Sequence, residues 1–268
     1  MAYEILVLDI DGTLTNSQKE ISDKTLDAVL KIQERGHKVV LASGRPTPGV
    51  LPMAEKLKLQ EYEGYILSYN GAKIINCKTG EVIFQKTLPK EIIPRLHAAA
   101  VKNQVGIISY EDNCIVTDME IDEFMEKEAF INGITIKKVH NFSEYVNFDV
   151  NKCLITGPGE ILEEVERIMK AEFGNQISVY RSEPFFLELM PLNIDKAFSL
   201  SKLLEYLGLS KEQMISCGDG YNDLTMIQYA GMGVAMANAQ EVVKKAADYI
   251  TLSNDDDGVA HVINEFML

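Results

Sequence analysis

Ile5-Leu6-Val7-Leu8-Asp9-Ile10-Asp11-Gly12-Thr13 is the stretch whose reading decides the fold. Four consecutive apolar residues have the length and composition of a buried strand, and they end in two carboxylates separated by one residue. Ionised Asp beside Ile, Leu and Val is costly unless hydrogen bonds or a cation compensate it. A second acidic loop, Gly218-Asp219-Gly220-Tyr221-Asn222-Asp223, follows another short apolar run, Gln213-Met214-Ile215-Ser216-Cys217. Together the two loops read as halves of one divalent-metal site that handles phosphate.

Outward from the first strand, Leu26, Val29, Leu30 and Gln33 recur at helical spacing, with Ser22 as cap and Arg35-Gly36 as stop. Lys38–Ala42 is the next buried run, broken by Ser43-Gly44-Arg45-Pro46, and Gly64–Ser68 is a third, stopping at Asn70-Gly71. The pattern returns from Lys196 to the end of the chain. Short apolar strands alternating with helices predict an α/β fold, a Rossmann-like parallel sheet covered on both faces. Between about 80 and 190 the texture changes. Polar-interrupted strands at Glu81–Gln85, Gly106–Tyr110, Cys114–Thr117, Ile177–Tyr180 and Phe185–Leu189 alternate with helical stretches. That pattern predicts an inserted α+β domain with an antiparallel sheet covered on one face. The predicted division is therefore a core of residues 1–80 and 191–268 and an insertion of residues 81–190.

Composition narrows the partners. The 268 residues are 46% apolar and 25% charged, with a formal net charge of -14, which argues against nucleic acid or an anionic membrane as partner. A small phosphorylated metabolite remains compatible, because a bound cation and one well-placed Lys reverse the local field. Cys77, Cys114, Cys153 and Cys217 form no CxxC pair and read as small hydrophobes of a reducing compartment. No signal peptide or membrane span is read from the sequence, so the expected location is the cytoplasm. His37, His97, His140 and His261 are scattered, with no metal-ligand spacing. The chain has no GxSxG, GxxxxGK[ST], or GxGxxG after the first strand, which removes the usual serine-hydrolase, P-loop and dinucleotide readings.

In an open parallel sheet, ligands gather beyond the carboxyl ends of the strands. The polar residues there are Asp9 and Asp11, Ser43, Asn70, and Asp219 with Asn222 and Asp223. Asp9, nearest the sheet, is the expected nucleophile beside Mg²⁺, giving an aspartyl phosphate. Asp11 is the expected general acid and base, with its backbone carbonyl a further metal ligand. Gly12 allows a close turn and an N–H toward phosphoryl oxygen, and Ser43 offers its hydroxyl and backbone N–H. Asp219 completes the metal site, Asp223 supports it from behind or through water, and Asn222 contacts phosphate or holds the loop. Lys196, opening a helix after Asp195, supplies a point charge for the phosphate and the crowded carboxylates. Asp255-Asp256-Asp257-Gly258 lacks the ligand alternation of a calcium loop and reads as a surface turn before the last helix.

Asp9-Ile10-Asp11-Gly12-Thr13-Leu14, Ser43-Gly44-Arg45-Pro46, Asn70-Gly71-Ala72, Lys196, Gly218–Asp223 and Asp257-Gly258-Val259-Ala260 together resemble the haloacid dehalogenase superfamily, in its Cof-type sugar-phosphatase branch. The resemblance spans nearly the whole chain. It implies Asp9 as nucleophile, Asp11 as acid/base, and Asp219 as magnesium ligand beside Asp223. Ser43, Gly44, Lys196 and Asn222 would lie around the phosphate, with Asn70 near the substrate end of the pocket. Arg45, by its own place directly after the Ser43-Gly44 turn, is a candidate contact for substrate or cap, and a salt bridge would explain it equally well. It also implies a cap inserted after the third core strand that selects among leaving groups, and sugar phosphates as the substrate class. Tyr110, Glu111, Arg181 and Glu183 of that cap read as surface or structural residues. Where the family has glycine on both sides of the lysine, this chain has Asn193 and Ala197. The alternatives are a phosphomutase of small phosphosugars and a non-catalytic phosphosugar-binding or protein-interaction module.

Overall fold

The computed structural model describes residues 3–268 and divides the chain into two compact units. One joins the chain up to Phe84 to Asp195–Leu268; the other is Gln85–Ile194. In the first unit, β1 (Ile5–Leu8), β2 (Lys38–Ala42), β3 (Tyr65–Ser68), β4 (Lys73–Asn76) and β5 (Val82–Gln85) come from the N-terminal part. The helices there are α1 (Asp23–Glu34) and α2 (Thr47–Lys56). In the second unit lie α3 (Ile93–Lys102), β6 (Gly106–Glu111), β7 (Cys114–Thr117), α4 (Glu123–Asn132) and β8 (Thr135–Lys138). They are followed by α5 (Phe142–Tyr145), β9 (Cys153–Thr156), α6 (Gly159–Phe173), β10 (Ile177–Glu183) and β11 (Phe186–Pro191). The first unit then resumes with α7 (Lys196–Leu207), β12 (Met214–Gly218), α8 (Leu224–Tyr229), β13 (Met232–Ala235), α9 (Glu241–Ala246), β14 (Tyr249–Ile250) and α10 (Gly258–Phe266).

The core sheet has the order β14-β13-β12-β1-β2-β3-β4-β5. β1 is flanked by β12 and β2, both parallel, with Leu8 level with Cys217 and with Leu41. This register brings the ends of three strands to one edge and is what assembles the site. Alternation along β1 sends Leu6 and Leu8 to the side packed by Val29 and Ile32 of α1 and Ile263 of α10. Ile5 and Val7 go to the side packed by Leu200, Leu203 and Leu204 of α7. Each fully buried aliphatic side chain contributes about 1.5–3 kcal/mol, so β1 stays in place despite the acidic residues at its end. Ser22 caps α1 as expected, accepting from the Thr25 amide at 3.1 Å.

Two expectations change. The strand predicted at Glu81–Gln85 belongs to the edge of the core sheet, beside β4, and not to the insertion. The N-terminal boundary thus falls after Phe84, beyond residue 80, and the second falls after Ile194. The sheet of the insertion, ordered β10-β11-β9-β6-β7-β8, is antiparallel except for its β7–β8 pair. It is also not bare on its second face. Tyr110 donates to Glu128 of α4 at 2.7 Å, and a Cβ on Gly106 would meet Met125 and Asp122. Arg181 and Glu111 are tied within the same unit, to Glu166 and to Lys137. The four cysteines are free thiols, and burial pushes those of Cys77, Cys153 and Cys217 up to about 12.

Candidate active site

Asp9 leaves β1 and is almost fully buried, and its amide still continues the sheet by donating to the Cys217 carbonyl at 3.1 Å. Lys196 opens α7 after the Asp195 cap, and its ammonium is completely buried. It donates to Asp9 Oδ1 at 2.7 Å, to the Ala42 carbonyl at 2.7 Å and to Asp223 Oδ1 at 2.5 Å. Three donors thus meet three acceptors from three strand ends, which satisfies the buried charge. Burial lowers the Lys196 pKa, but Asp223 and Asp9 outweigh it and leave the amine firmly protonated.

Asp223 is a buttress. Its Oδ1 is held by Lys196, and its Oδ2 accepts from the amides of Asp219 at 3.0 Å and Gly220 at 2.9 Å. Asp219 is fixed by Thr13, whose hydroxyl donates to Asp219 Oδ1 at 2.9 Å. The carboxylates of Asp9, Asp219 and Asp223 offer oxygens within 4.8 Å of one another. Burial first, then repulsion by Asp223, pushes Asp9 up to about 8. Burial similarly lifts Asp219 to about 6, against the opposing Thr13 hydrogen bond. Such carboxylates are short of positive charge, and hard oxygen donors in this number fit a small divalent cation. Since Asp223 is engaged through both oxygens, Asp9 and Asp219 are the direct candidates. Gly12 has φ 84, and a Cβ there would lie 2.5 Å from Asp219 Oδ2, so only glycine lets the two acidic loops approach this closely.

Asp11 has different company. Arg45 grips its carboxylate with two bonds, Nε to Oδ2 at 2.8 Å and Nη2 to Oδ1 at 2.7 Å, and Lys19 Nζ adds a third at 2.9 Å. Burial raises the Asp11 pKa, but Arg45 and then Lys19 overcome this and hold it below the ordinary carboxylate range. Arg45 thus forms a salt bridge, the reading its place after the Ser43-Gly44 turn equally allowed, with Asp11 as its partner. Ser43 is buried, and its amide is committed to the Leu67 carbonyl at 2.8 Å. The expectation that it offers this N–H to phosphate is therefore corrected: the sheet ladder uses it, and its hydroxyl remains. Asn70 (φ 50) follows Tyr69 (φ 53), a strained pair held by the bonds Tyr69 N to Arg45 O at 2.9 Å and Asn70 N to Ser43 O at 3.0 Å. Its side-chain oxygen accepts from Asn222 at 3.0 Å, and Gly44 lies against the same amide. Asn193, where the resemblance calls for glycine, has φ 53, a left-handed conformation that Asn tolerates.

Thr13 and Lys19 are the additions that sequence reasoning missed. Thr13 lay inside the quoted motif and could have been read as a partner for an acid; nothing in the sequence marks Lys19.

The family of haloacid dehalogenase-like hydrolases matches residues 6–263, and the chain belongs to it. It is 50% identical to a haloacid dehalogenase-like hydrolase from Bacteroides thetaiotaomicron, whose crystal structure matches with a TM-score of 0.95 over 98% of this chain and 99% of that one. It is 31% identical over 269 residues to the putative phosphatase YxeH of Bacillus subtilis (strain 168), covering 99% of both. It is also 31% identical over 265 residues to 5-amino-6-(5-phospho-D-ribitylamino)uracil phosphatase YcsE of that organism, covering 99% of this chain and 96% of the relative. With its aspartate cluster intact, the chain is an enzyme of this family. Among the described residues, no helix is long and apolar enough to cross a membrane.

Proposed function

We propose that the chain is a Mg²⁺-dependent phosphatase of small phosphomonoesters, sugar phosphates and related phosphorylated polyols, working through an aspartyl phosphate on Asp9. The observation that carries this reading is the buried Lys196 holding one oxygen of Asp9 at 2.7 Å while Asp219 stands beside the other loop. A merely structural acid gains nothing from being kept so short of compensation. Mg²⁺, held by Asp9, Asp219 and the Asp11 carbonyl, would neutralise phosphate charge and make phosphorus more electrophilic.

Asp9 attacks phosphorus through a carboxylate oxygen, and the bond from phosphorus to the ester oxygen breaks. Asp11, protonated from water as it exchanges Arg45 and Lys19 for the substrate, passes that proton to the departing oxygen, so an alcohol leaves. Asp11 as carboxylate then takes a proton from water, whose oxygen attacks the phosphoryl group. The bond to Asp9 breaks, releasing phosphate and restoring both acids. Lys196 keeps Asp9 oriented, and we assign the binding of phosphoryl oxygens to the Ser43 hydroxyl, the Gly12 and Gly44 amides and the Asn222 amide group. Asn70 orders Asn222. We assign selection among leaving groups to the inserted unit. The name of YcsE, which places a phosphate on a ribityl chain, supports a polyol as leaving group.

The test is phosphate release with Mg²⁺ across sugar phosphates, nucleotides and phosphorylated cofactor precursors. Asp9→Asn should lower turnover by about 10³-fold or more, the scale on which catalytic groups act. A folded, Mg²⁺-loaded protein inactive on the whole panel would overturn the proposal. Isomerised sugar phosphate without free phosphate would reassign it as a mutase.

A further inference from the structure

The loop after β1 carries Asp11, then runs through an irregular stretch to α1, and several of its polar groups are tied to distant parts of the chain. Asn238 donates to the Gly12 carbonyl at 2.8 Å, and Asn254 Nδ2 donates to the Thr15 carbonyl at 2.9 Å. Asp255 takes both donors of Ser17, the amide at 2.7 Å and the hydroxyl at 2.6 Å. Ser22 donates to Asp257 at 2.5 Å. The clamping loop is itself braced, since the Asn254 amide donates to Asn238 Oδ1 at 3.0 Å. The surface turn read from Asp255-Asp256-Asp257 is therefore a mooring for the catalytic loop.

Between these moorings, residues 16–20 form a closed turn. Asn16 Oδ1 accepts from the amides of Gln18 and Glu20, both at 3.0 Å, and Lys19 sits at φ 63. That turn aims the Lys19 ammonium at Asp11 Oδ1, 2.9 Å away. Ser17 and Thr15, the two residues gripped by the mooring, bracket the start of this turn.

We propose that Asn254 and Asp255 are positioning residues for Asp11, acting through the 15–19 turn and Lys19. The inference rests on the phosphatase reading above. The moored loop fixes where Asp11 can meet the departing oxygen; a loosened one leaves nucleophilic attack by Asp9 intact but delivers the proton poorly. The cost therefore depends on the leaving group. An alkoxide needs the proton, whereas 4-nitrophenolate departs without one.

The experiment compares kcat/KM of wild type, Asp255→Ala, Asp255→Asn and Asn254→Ala on two substrates. These are 4-nitrophenyl phosphate and the sugar phosphate that wild type hydrolyses best. Both alanine variants should lose about tenfold or more on the sugar phosphate and less than about threefold on the aryl ester, within the range general acids supply. Asp255→Asn keeps an acceptor for the Ser17 amide and should recover most of the loss. Amide hydrogen exchange in residues 12–22 of the metal-free protein should quicken in the alanine variants and not elsewhere. Equal losses on both substrates, no loss on either, or unchanged exchange would overturn the proposal while leaving the phosphatase reading standing. A wild type inactive on both substrates would take the two down together.

Discussion

Asp9 and Asp11 stand two positions apart and occupy opposite electrostatic surroundings. Asp9 faces two more acids and one buried amine, and its pKa is driven up; Asp11 faces a guanidinium and an ammonium, and its pKa is driven down. The buried acid is built around a missing positive charge, the half-buried one around an excess of it. Strand ends set the first arrangement, through rigid sheet register. Loops set the second, through side chains that reach in from Arg45 and Lys19. The division matches their proposed duties, since a nucleophile must be immobile and an acid must exchange partners.

The largest effect should come from the floor. Lys196→Met removes the donor shared by Asp9, Asp223 and Ala42 O and leaves buried carboxylates unpaired, which should cost about 3–5 kcal/mol. Urea unfolding of the metal-free protein measures this. A loss below ~1 kcal/mol would mean that Lys196 is not what holds the floor together. At the rim, Arg45→Ala should lower kcat/KM by about ten- to a hundredfold, the worth of a charge-assisted pair. It should also move the Asp11 limb of the pH profile to higher pH, because burial then acts with less opposition. An unmoved limb would break the contrast between the two acids.

The smallest effect concerns pH. Asp9 and Asp219 have folded-state pKa values, about 8 and about 6, above the unfolded value near 3.8. The folded protein therefore binds more protons than the unfolded chain between those values, and its metal-free stability falls as pH rises from about 4 through about 8. Mg²⁺ should restore most where most has been lost. The melting temperature gained on adding Mg²⁺ should exceed that at pH 5 by about 2–4 °C at pH 8, followed by thermal unfolding at both pH values. A gain that shrinks with pH would contradict the charge-deficient floor.

What was legible in the sequence follows the same boundary. Asp9 and Asp219 could be placed together because short apolar runs mark where the buried strands end, and parallel strands deliver their ends to one edge. Lys196 gave no local sign of burial, since a residue after an Asp cap looks like any exposed helix start; its charge suggested a role beside the acids, and the resemblance strengthened it. The Arg45–Asp11–Lys19 contact was hidden because it depends on loop paths that no periodicity encodes. Glu81–Gln85 went to the wrong sheet for a related reason. A strand with exposed ends and a half-buried middle carries the signature of an edge, and that signature does not say whose edge it is.

The pairing of Ile5 with Met214 has a consequence for how this protein is made. During synthesis, β1 emerges early but must wait for β12 on that side. At about 5–20 residues per second, the wait is roughly 10–40 s on the ribosome. For that interval an apolar strand bears an open hydrogen-bonding edge. Closing so long an intervening segment adds little entropic cost, because the penalty grows only with the logarithm of its length. Delay, rather than thermodynamics, is what the split core imposes on the nascent chain.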